Sequence, residues 1–276
     1  MNDNLSTTNQ LLIAVTNTLK EAGINTARLD ALVLLEDVTG KDRTHLLAHP
    51  ELELTDEQQN ALKTLVKRRQ THEPLAYIRG KSEFYGHEFM VNEHVLVPRP
   101  ESESILELLS EYGSIGTIID VGTGSGALAI SAAIQKPEAN VYGLDIDTNC
   151  LSVAKANAKN HPVEVTFVES DLLRALDLDE LRGPIVILAN LPYVPDTYPV
   201  NEAAAHEPKL ALFGGNDGLD FYRVMLDQLD AYDNRGIILF TECLESQLHI
   251  LKGLVTHHGF TFTKADGLIQ SFTRIP

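Results

Sequence analysis

The chain has no tryptophan, two cysteines and three methionines among its 276 residues, and only 22 basic side chains against 39 acidic ones. Each shortage excludes something. Cys150 and Cys243 stand far apart with no metal-type spacing and read as reduced core thiols. The formal net charge of −17 repels a phosphate backbone, so bulk nucleic-acid binding is not expected. The short basic run Lys67-Arg68-Arg69 reads as the solvated last turn of a helix, where cations complement the dipole. No apolar run approaches the roughly 20 residues of a membrane-spanning helix. The start, Met1-Asn2-Asp3-Asn4, lacks the basic and apolar stretches of a signal peptide, so a cytoplasmic location with no membrane partner is expected. Repeats and low-complexity tracts are absent as well. What is present is the balance of a folded soluble chain, 43% hydrophobic and 22% charged, with length enough for two domains or one large one.

Residues 5 to 72 read as helices. Leu11, Leu12, Val15 and Leu19 mark one apolar face at helical spacing, and Ala31, Leu34 and Leu35 another. Asn25 or Thr26 can cap the second helix, Thr55 with Glu57 and Gln58 a third, and Gly23 and Gly40 mark helix ends. The character changes at Pro74. Residues 84–91 and 95–97 are aromatic or β-branched, separated by Asn92-Glu93-His94, and predict a hairpin. Pro98-Arg99-Pro100-Glu101 follows as a stiff extended link. Strands are then expected at 118–121, 141–145, 163–167, 185–189 and 237–240. Helices are expected over 125–135, 148–159, 218–231 and 243–257, with a last strand pair within 260–275. Alternating strands and helices predict a parallel sheet covered on both faces.

Asn190-Leu191-Pro192-Tyr193 directly follows the apolar strand 185–189 and suits gripping a planar NH2 group. The side-chain carbonyl of Asn190 and a backbone carbonyl beside it can accept its two hydrogens while Tyr193 stacks on its face. Alone, the tetrapeptide reads by default as a strand-to-loop turn. Upstream, Asp120-Val121-Gly122-Thr123-Gly124-Ser125-Gly126 leaves a strand and opens a helix, a turn that lets the backbone approach a ligand. Asp145 ends the next strand, 19 residues beyond Gly126, where a carboxylate can accept from both ribose hydroxyls of an adenosine ligand. Gly122, Gly124 and Ala127 also fit a dinucleotide pattern, which keeps NAD open as a competitor. Ser170-Asp171 after the third strand, where an adenine amine can be bound, and the polar tetrapeptide after the fourth favour S-adenosylmethionine. Asp171 by itself reads as a helix cap. His94, His206 and His257-His258 share no ligand spacing. Glu101 and Glu207 read as pocket-shaping groups without assigned contacts.

Through nearly its whole length the chain resembles the bacterial PrmC/HemK family, protein-(glutamine-N5) methyltransferases acting on peptide chain release factors. The resemblance rests on Ala27-Arg28-Leu29-Asp30-Ala31 with Leu34-Leu35, Glu73-Pro74-Leu75-Ala76-Tyr77-Ile78 with Gly80, and Glu83-Phe84-Tyr85-Gly86. It continues in Val95-Leu96-Val97-Pro98-Arg99-Pro100-Glu101, the glycine ladder, Glu207-Pro208 with Ala211-Leu212, and Gly214-Gly215 with Asp217-Gly218-Leu219-Asp220. The Pro-Arg-Pro-Glu and Glu-Pro segments are more specific than the ladder. The chain departs from the family at Leu191, where Pro is usual, and at Leu172, where an aromatic near the adenine is frequent. Asn-Leu-Pro-Tyr is closer to enzymes that dimethylate an adenine of ribosomal RNA. Leu191 keeps the accepting carbonyl and loses the fixed φ of proline.

The resemblance implies a class I S-adenosylmethionine-dependent methyltransferase, Rossmann-like, with a mostly parallel sheet and an antiparallel last strand. It implies a helical substrate-docking domain over 1–73, a linking β-hairpin over 74–105 and a catalytic domain over 106–276. The cofactor would be S-adenosylmethionine, with S-adenosylhomocysteine as product, held by Gly122, Thr123, Gly124, Ser125, Gly126, Asp145, Asp171, Leu172 and Asn190. Asn190, Leu191, Pro192 and Tyr193 would carry catalysis on the Gln of the Gly-Gly-Gln loop of a class 1 release factor. Two alternatives stand beside it: methylation of an adenine amine of RNA or DNA, and a nucleoside-binding module without chemistry. Base extrusion needs basic backbone grips, which the acidic balance opposes.

Overall fold

The computed structural model describes residues 6–232 and 235–275, and the polar start at Met1 to Asn4 lies outside them. The chain divides into two compact units. One comprises residues 1–80 together with 201–206, the other 81–200 together with 207–276.

The first unit is helical: α1 (Thr8–Glu21), α2 (Ala27–Thr39), α3 (Arg43–Ala48), α4 (Asp56–Gln70) and α5 (Leu75–Arg79). Its core joins Leu11, Val15 and Leu19 to Ala31, Leu34, Leu35, Leu62 and Val66, the faces expected from helical spacing. Thr55 and Gln58 form a reciprocal capping box at the start of α4, whereas Thr26 sits at the cap position of α2 without a side-chain bond. The basic run does form the last turn of α4 with Lys67 exposed, but Arg69 is not solvated. Arg69 is buried, its Nε 2.7 Å from Asp30 Oδ2, and Arg68 forks onto Glu73 at 2.9 and 2.5 Å. A buried carboxylate 39 residues away in sequence overrides the local preference for water.

The second unit opens with a hairpin, β1 (Lys81–Phe84) and β2 (His87–Met90). The turn lies at Tyr85-Gly86, not at 92–94, and residues 95–97 form no strand. Both turn residues have positive φ, 49° and 74°, the geometry of a two-residue loop matched to strand twist. The Pro-Arg-Pro-Glu segment is extended only as far as Arg99. Pro100 begins a single 3-10 turn that runs into α6 (Glu103–Ser110), a helix the sequence reading did not contain.

Seven strands follow in the order β5-β4-β3-β6-β7-β9-β8. They are β3 (Thr117–Val121), β4 (Asn140–Asp145), β5 (Thr166–Glu169), β6 (Ile185–Ala189), β7 (Ile237–Glu242), β8 (Thr261–Asp266) and β9 (Ile269–Arg274). The first five are parallel; β9 is antiparallel and inserted between β7 and β8. The helices α7 (Ala127–Gln135), α8 (Thr148–Lys159), α9 (Lys209–Leu212), α10 (Asp220–Leu229) and α11 (Leu248–His257) complete the unit. β5 starts three residues later than expected because Val163 N–H turns back onto His161 O. Residues 243–244 stay extended, with Cys243 N–H on Leu268 O, so the last helix begins later than 243. Alternate residues of the buried central strands supply the two faces. Ile119, Val121, Ile187 and Ala189 join Tyr222, Met225 and Leu251 on one side. Ile118, Val186 and Leu188 join Ile105, Leu109 and Ile130 on the other. Period-two alternation between two covered faces fixes the register. No helix among the described residues is long and apolar enough to cross a membrane.

Candidate active site

The strand order reverses between β3 and β6, and in an open α/β sheet ligands bind beyond the carboxyl ends of the strands at such a point. A partly open, mostly apolar cleft lies there. Gly122 and Gly124 after β3, Asp145 at the end of β4, Asp171 and Leu172 after β5, and Asn190, Leu191 and Pro192 after β6 all line it. Thr123 and Ser125 line an adjoining pocket that shares Gly122, Gly124 and Asn190 with the cleft, whereas Gly126 lines neither. Thr123 Oγ1 turns inward and donates to Asp120 Oδ2 at 2.6 Å, and Ser125 is buried with its carbonyl accepting from Asn157. A Cβ on Gly126 would lie 3.0 Å from Ala154 Cβ, so this glycine lets α7 pack closely on α8. Gly124 differs. Its φ is +52° and nothing lies within 4 Å of where a Cβ would point, which leaves open space over the backbone for a ligand.

Asp145 is poised as an acceptor. Its Oδ2 takes the Gly124 N–H at 2.9 Å and its Oδ1 the Asp147 N–H at 3.0 Å. A carboxylate has about four acceptor positions, so these two bonds do not by themselves saturate it. Burial raises its pKa against those backbone bonds. Asp120, fully buried beneath the glycine turn, also accepts from Ala129 N–H at 3.2 Å, and burial pushes its pKa up to about 7. Asp171 is exposed, pairs with Arg174 at 3.1 Å and caps no α-helix. Leu172 has φ +56°, and its carbonyl accepts from Ser170 Oγ at 2.7 Å. Cys150 lines the cleft, but burial, reinforced by Asp145, pushes its thiol up to about 12.

The tetrapeptide is held by residues the sequence reading passed over. Asn190 Nδ2 donates to Ser102 Oγ at 2.7 Å, Ser102 Oγ to Glu242 Oε2 at 2.6 Å, and Tyr193 OH to Glu242 Oε1 at 3.0 Å. Glu242 ends β7 and is fully buried; burial raises its pKa while the Ser102 and Tyr193 hydroxyls pull it back. The same surroundings, burial first and the Glu242 charge second, raise the pKa of Tyr193. Among the described residues nothing donates to Asn190 Oδ1. Leu191 buries its side chain in the core against Gly122, so only its backbone is available to a ligand. Tyr222 of α10 bridges the strand ends: its single hydroxyl proton is shared between Ala189 O at 2.8 Å and Glu242 O at 2.5 Å, and its oxygen accepts from Glu242 N–H at 3.3 Å. Past the tetrapeptide, Gln247 Nε2 donates to Tyr193 O at 2.8 Å. A Cβ on Gly218 would lie 2.1 Å from that carbonyl, which explains a glycine there.

The remaining candidates separate cleanly. Glu207 is buried and accepts from Arg99 at 2.6 Å, which ties the Pro-Arg-Pro-Glu segment to the Glu-Pro segment. Glu101 is exposed. His206 bonds Thr71 O at 2.7 Å and His258 pairs with Asp230 at 2.9 Å, while His94 is an exposed residue on the cleft rim. A signal for Glu242 did exist: a charged residue closing the apolar run at 237–240, which the strand extends to include. Ser102 follows directly on Pro-Arg-Pro-Glu but carries no pattern of its own.

Residues 10–80 match the PrmC N-terminal domain and residues 100–204 the methyltransferase small domain. The chain is 36% identical to the release factor glutamine methyltransferase of Geobacter sulfurreducens, over 90% of this chain and 88% of that one. It is 35% identical to the protein of that name in Coxiella burnetii, over 85% of each. Among solved structures, the catalytic domain of hMettl16, crystallised with a 3′UTR hairpin, superposes with a TM-score of 0.51 at 13% identity, over 80% of this chain and 81% of that domain. That likeness concerns the fold alone.

Proposed function

The chain belongs to the release factor glutamine methyltransferase family, and from that premise we propose that it methylates the side-chain amide nitrogen of the Gln in the Gly-Gly-Gln motif of class 1 release factors. The observation that carries this reading is one wall of one cleft. Asn190 offers an unengaged carboxamide oxygen there, beside the open backbone at Gly124 and the acceptor Asp145. The residues present fit S-adenosylmethionine. Gly122, Gly124 and the backbone of Thr123 to Gly126 would form its cradle, Asp145 would accept from its ribose, and Asp171 and Leu172 would border its base. When bound it supplies a methyl group on a sulfonium and leaves as S-adenosylhomocysteine.

An amide nitrogen is a poor nucleophile because its lone pair is shared with the carbonyl. Asn190 Oδ1 and the Leu191 carbonyl would each accept one N–H of the incoming amide. They align the nitrogen and stabilise the positive charge that develops on it. Tyr193, anchored through its hydroxyl, would stack on the amide and exclude water. No strong base is required, since the surplus proton can leave to solvent. The helical domain over 1–73 would dock the release factor, the segment 74–105 would link it to the catalytic domain over 106–276, and the setting would be the cytoplasm.

The deciding experiment is mass spectrometry of a purified class 1 release factor incubated with enzyme and S-adenosylmethionine. One added methyl on the loop Gln is expected. Methylation of an adenine amine in RNA or DNA with none on protein would overturn the reading.

A further inference from the structure

We infer that Ser102 and Glu242 are positioning residues that set the polarity of the Asn190 amide, so that it meets its acceptor amide with oxygen rather than with NH2. This rests on the function proposed above. The argument is one of proton counting. Glu242 presents two carboxylate oxygens inside the protein, and each receives one hydroxyl, Oε2 from Ser102 at 2.6 Å and Oε1 from Tyr193 at 3.0 Å. A carboxylate accepts and does not donate. The single proton of Ser102 is therefore committed to Glu242, and its Oγ can offer only lone pairs to Asn190, 2.7 Å away. Asn190 must answer with its NH2 group, which leaves Oδ1 for the cleft.

The point matters because the two ends of an Asn amide have nearly the same size, and its terminal torsion is broad and roughly two-fold. Without the relay both orientations are open. The flipped one sets a donor against the N–H groups of an incoming amide. Glu242 thus orients two members of the tetrapeptide at once: the amide of Asn190 through Ser102, and the ring of Tyr193 directly. Its place at the end of β7, adjacent to β6, puts the relay on the sheet rather than on a loop.

The test uses the full-length enzyme, a class 1 release factor and labelled S-adenosylmethionine. Ser102→Ala should lower kcat about ten- to hundredfold, with the KM for the release factor and the cofactor affinity by calorimetry within about twofold. Ser102→Thr, which keeps the hydroxyl, should recover most of the loss. Glu242→Gln is nearly isosteric and should melt near the parent, yet lose at least as much kcat. Its amide can donate to Ser102 and release the serine proton toward Asn190. The side-chain NH2 resonances of Asn190 in 15N NMR give a second readout that needs no substrate: exchange should be slow in the parent and fast in Ser102→Ala. Unchanged kcat in Ser102→Ala, equal loss in the Thr variant, a loss confined to KM, or unaltered amide exchange would each overturn the relay. Failure of the parent enzyme to methylate the release factor, with the exchange difference intact, would count against the proposed function alone.

Discussion

Asn190 and Asp145 both stand at strand ends facing one cleft, yet their surroundings give them different duties. Asp145 has each oxygen already tied to a backbone N–H of its own neighbourhood, so on the proposed function it would serve as a fixed acceptor for the cofactor's hydroxyls. Asn190 has only its NH2 engaged. Asn190→Ala should therefore cost about 2.7–4 kcal/mol of transition-state stabilisation, roughly 10²–10³ in kcat, by comparison with removal of one aligned group in an oxyanion hole. Cofactor affinity should change little. Asp145→Ala should show the reverse, weaker cofactor binding in calorimetry before any effect on the chemical step. Single-turnover rates for Asn190→Ala equal to those of the parent would remove it from the reaction. Both residues were legible in the sequence, because a polar group at the end of an apolar run is a local signal. Their partners were not, since Ser102 lies 88 residues from Asn190 and Glu242 lies 140 from Ser102.

At the scale of elements, the site depends on how the parallel strands β6 and β7 are tied where they part. Their ladder ends at the Ala189 and Thr241 pair, and the Tyr222 hydroxyl then takes over, bridging Ala189 O and the backbone of Glu242. Tyr222→Phe keeps the ring in the core but leaves those buried groups short of a partner. Stability in urea should fall by about 1–3 kcal/mol, and kcat should fall with it because Asn190 and Glu242 follow directly on the tied ends. An unchanged midpoint would mean that the bridge adds nothing to the fold. The strands themselves were readable from their apolar runs. The hairpin was misplaced because Tyr85-Gly86 sits inside an aromatic, β-branched stretch, and its positive φ values are a property of pairing rather than of composition. Within the run Lys67-Arg68-Arg69, the burial of Arg69 was missed for a similar reason, since local charge cannot announce a partner such as Asp30.

For the molecule as a whole, burial makes stability depend on pH in a direction that a simple count of acids does not give. Asp120 has its folded pKa raised to about 7 by burial, against about 3.9 unfolded. Folding therefore takes up a proton between about pH 4 and 7, and the contribution of this group to stability falls as pH rises through that window. Asp120→Asn keeps an acceptor for Thr123 and Ala129 and removes the charge. The difference in urea midpoint between variant and parent should therefore grow in favour of the variant from pH 5 to pH 7.5. Parallel profiles would show that Asp120 does not titrate there. The sequence by itself determined the alternation of strands and helices, the helical first unit, the glycine turn and the polar tetrapeptide, because each is written in spacing and composition over a few residues. Only the tertiary structure decided which way the Asn190 amide faces, what anchors Tyr193, and that residues 201–206 group with the first unit rather than the second. Those outcomes depend on hydrogen-bond partners far apart in the chain, and such partners become neighbours only when the sheet is assembled.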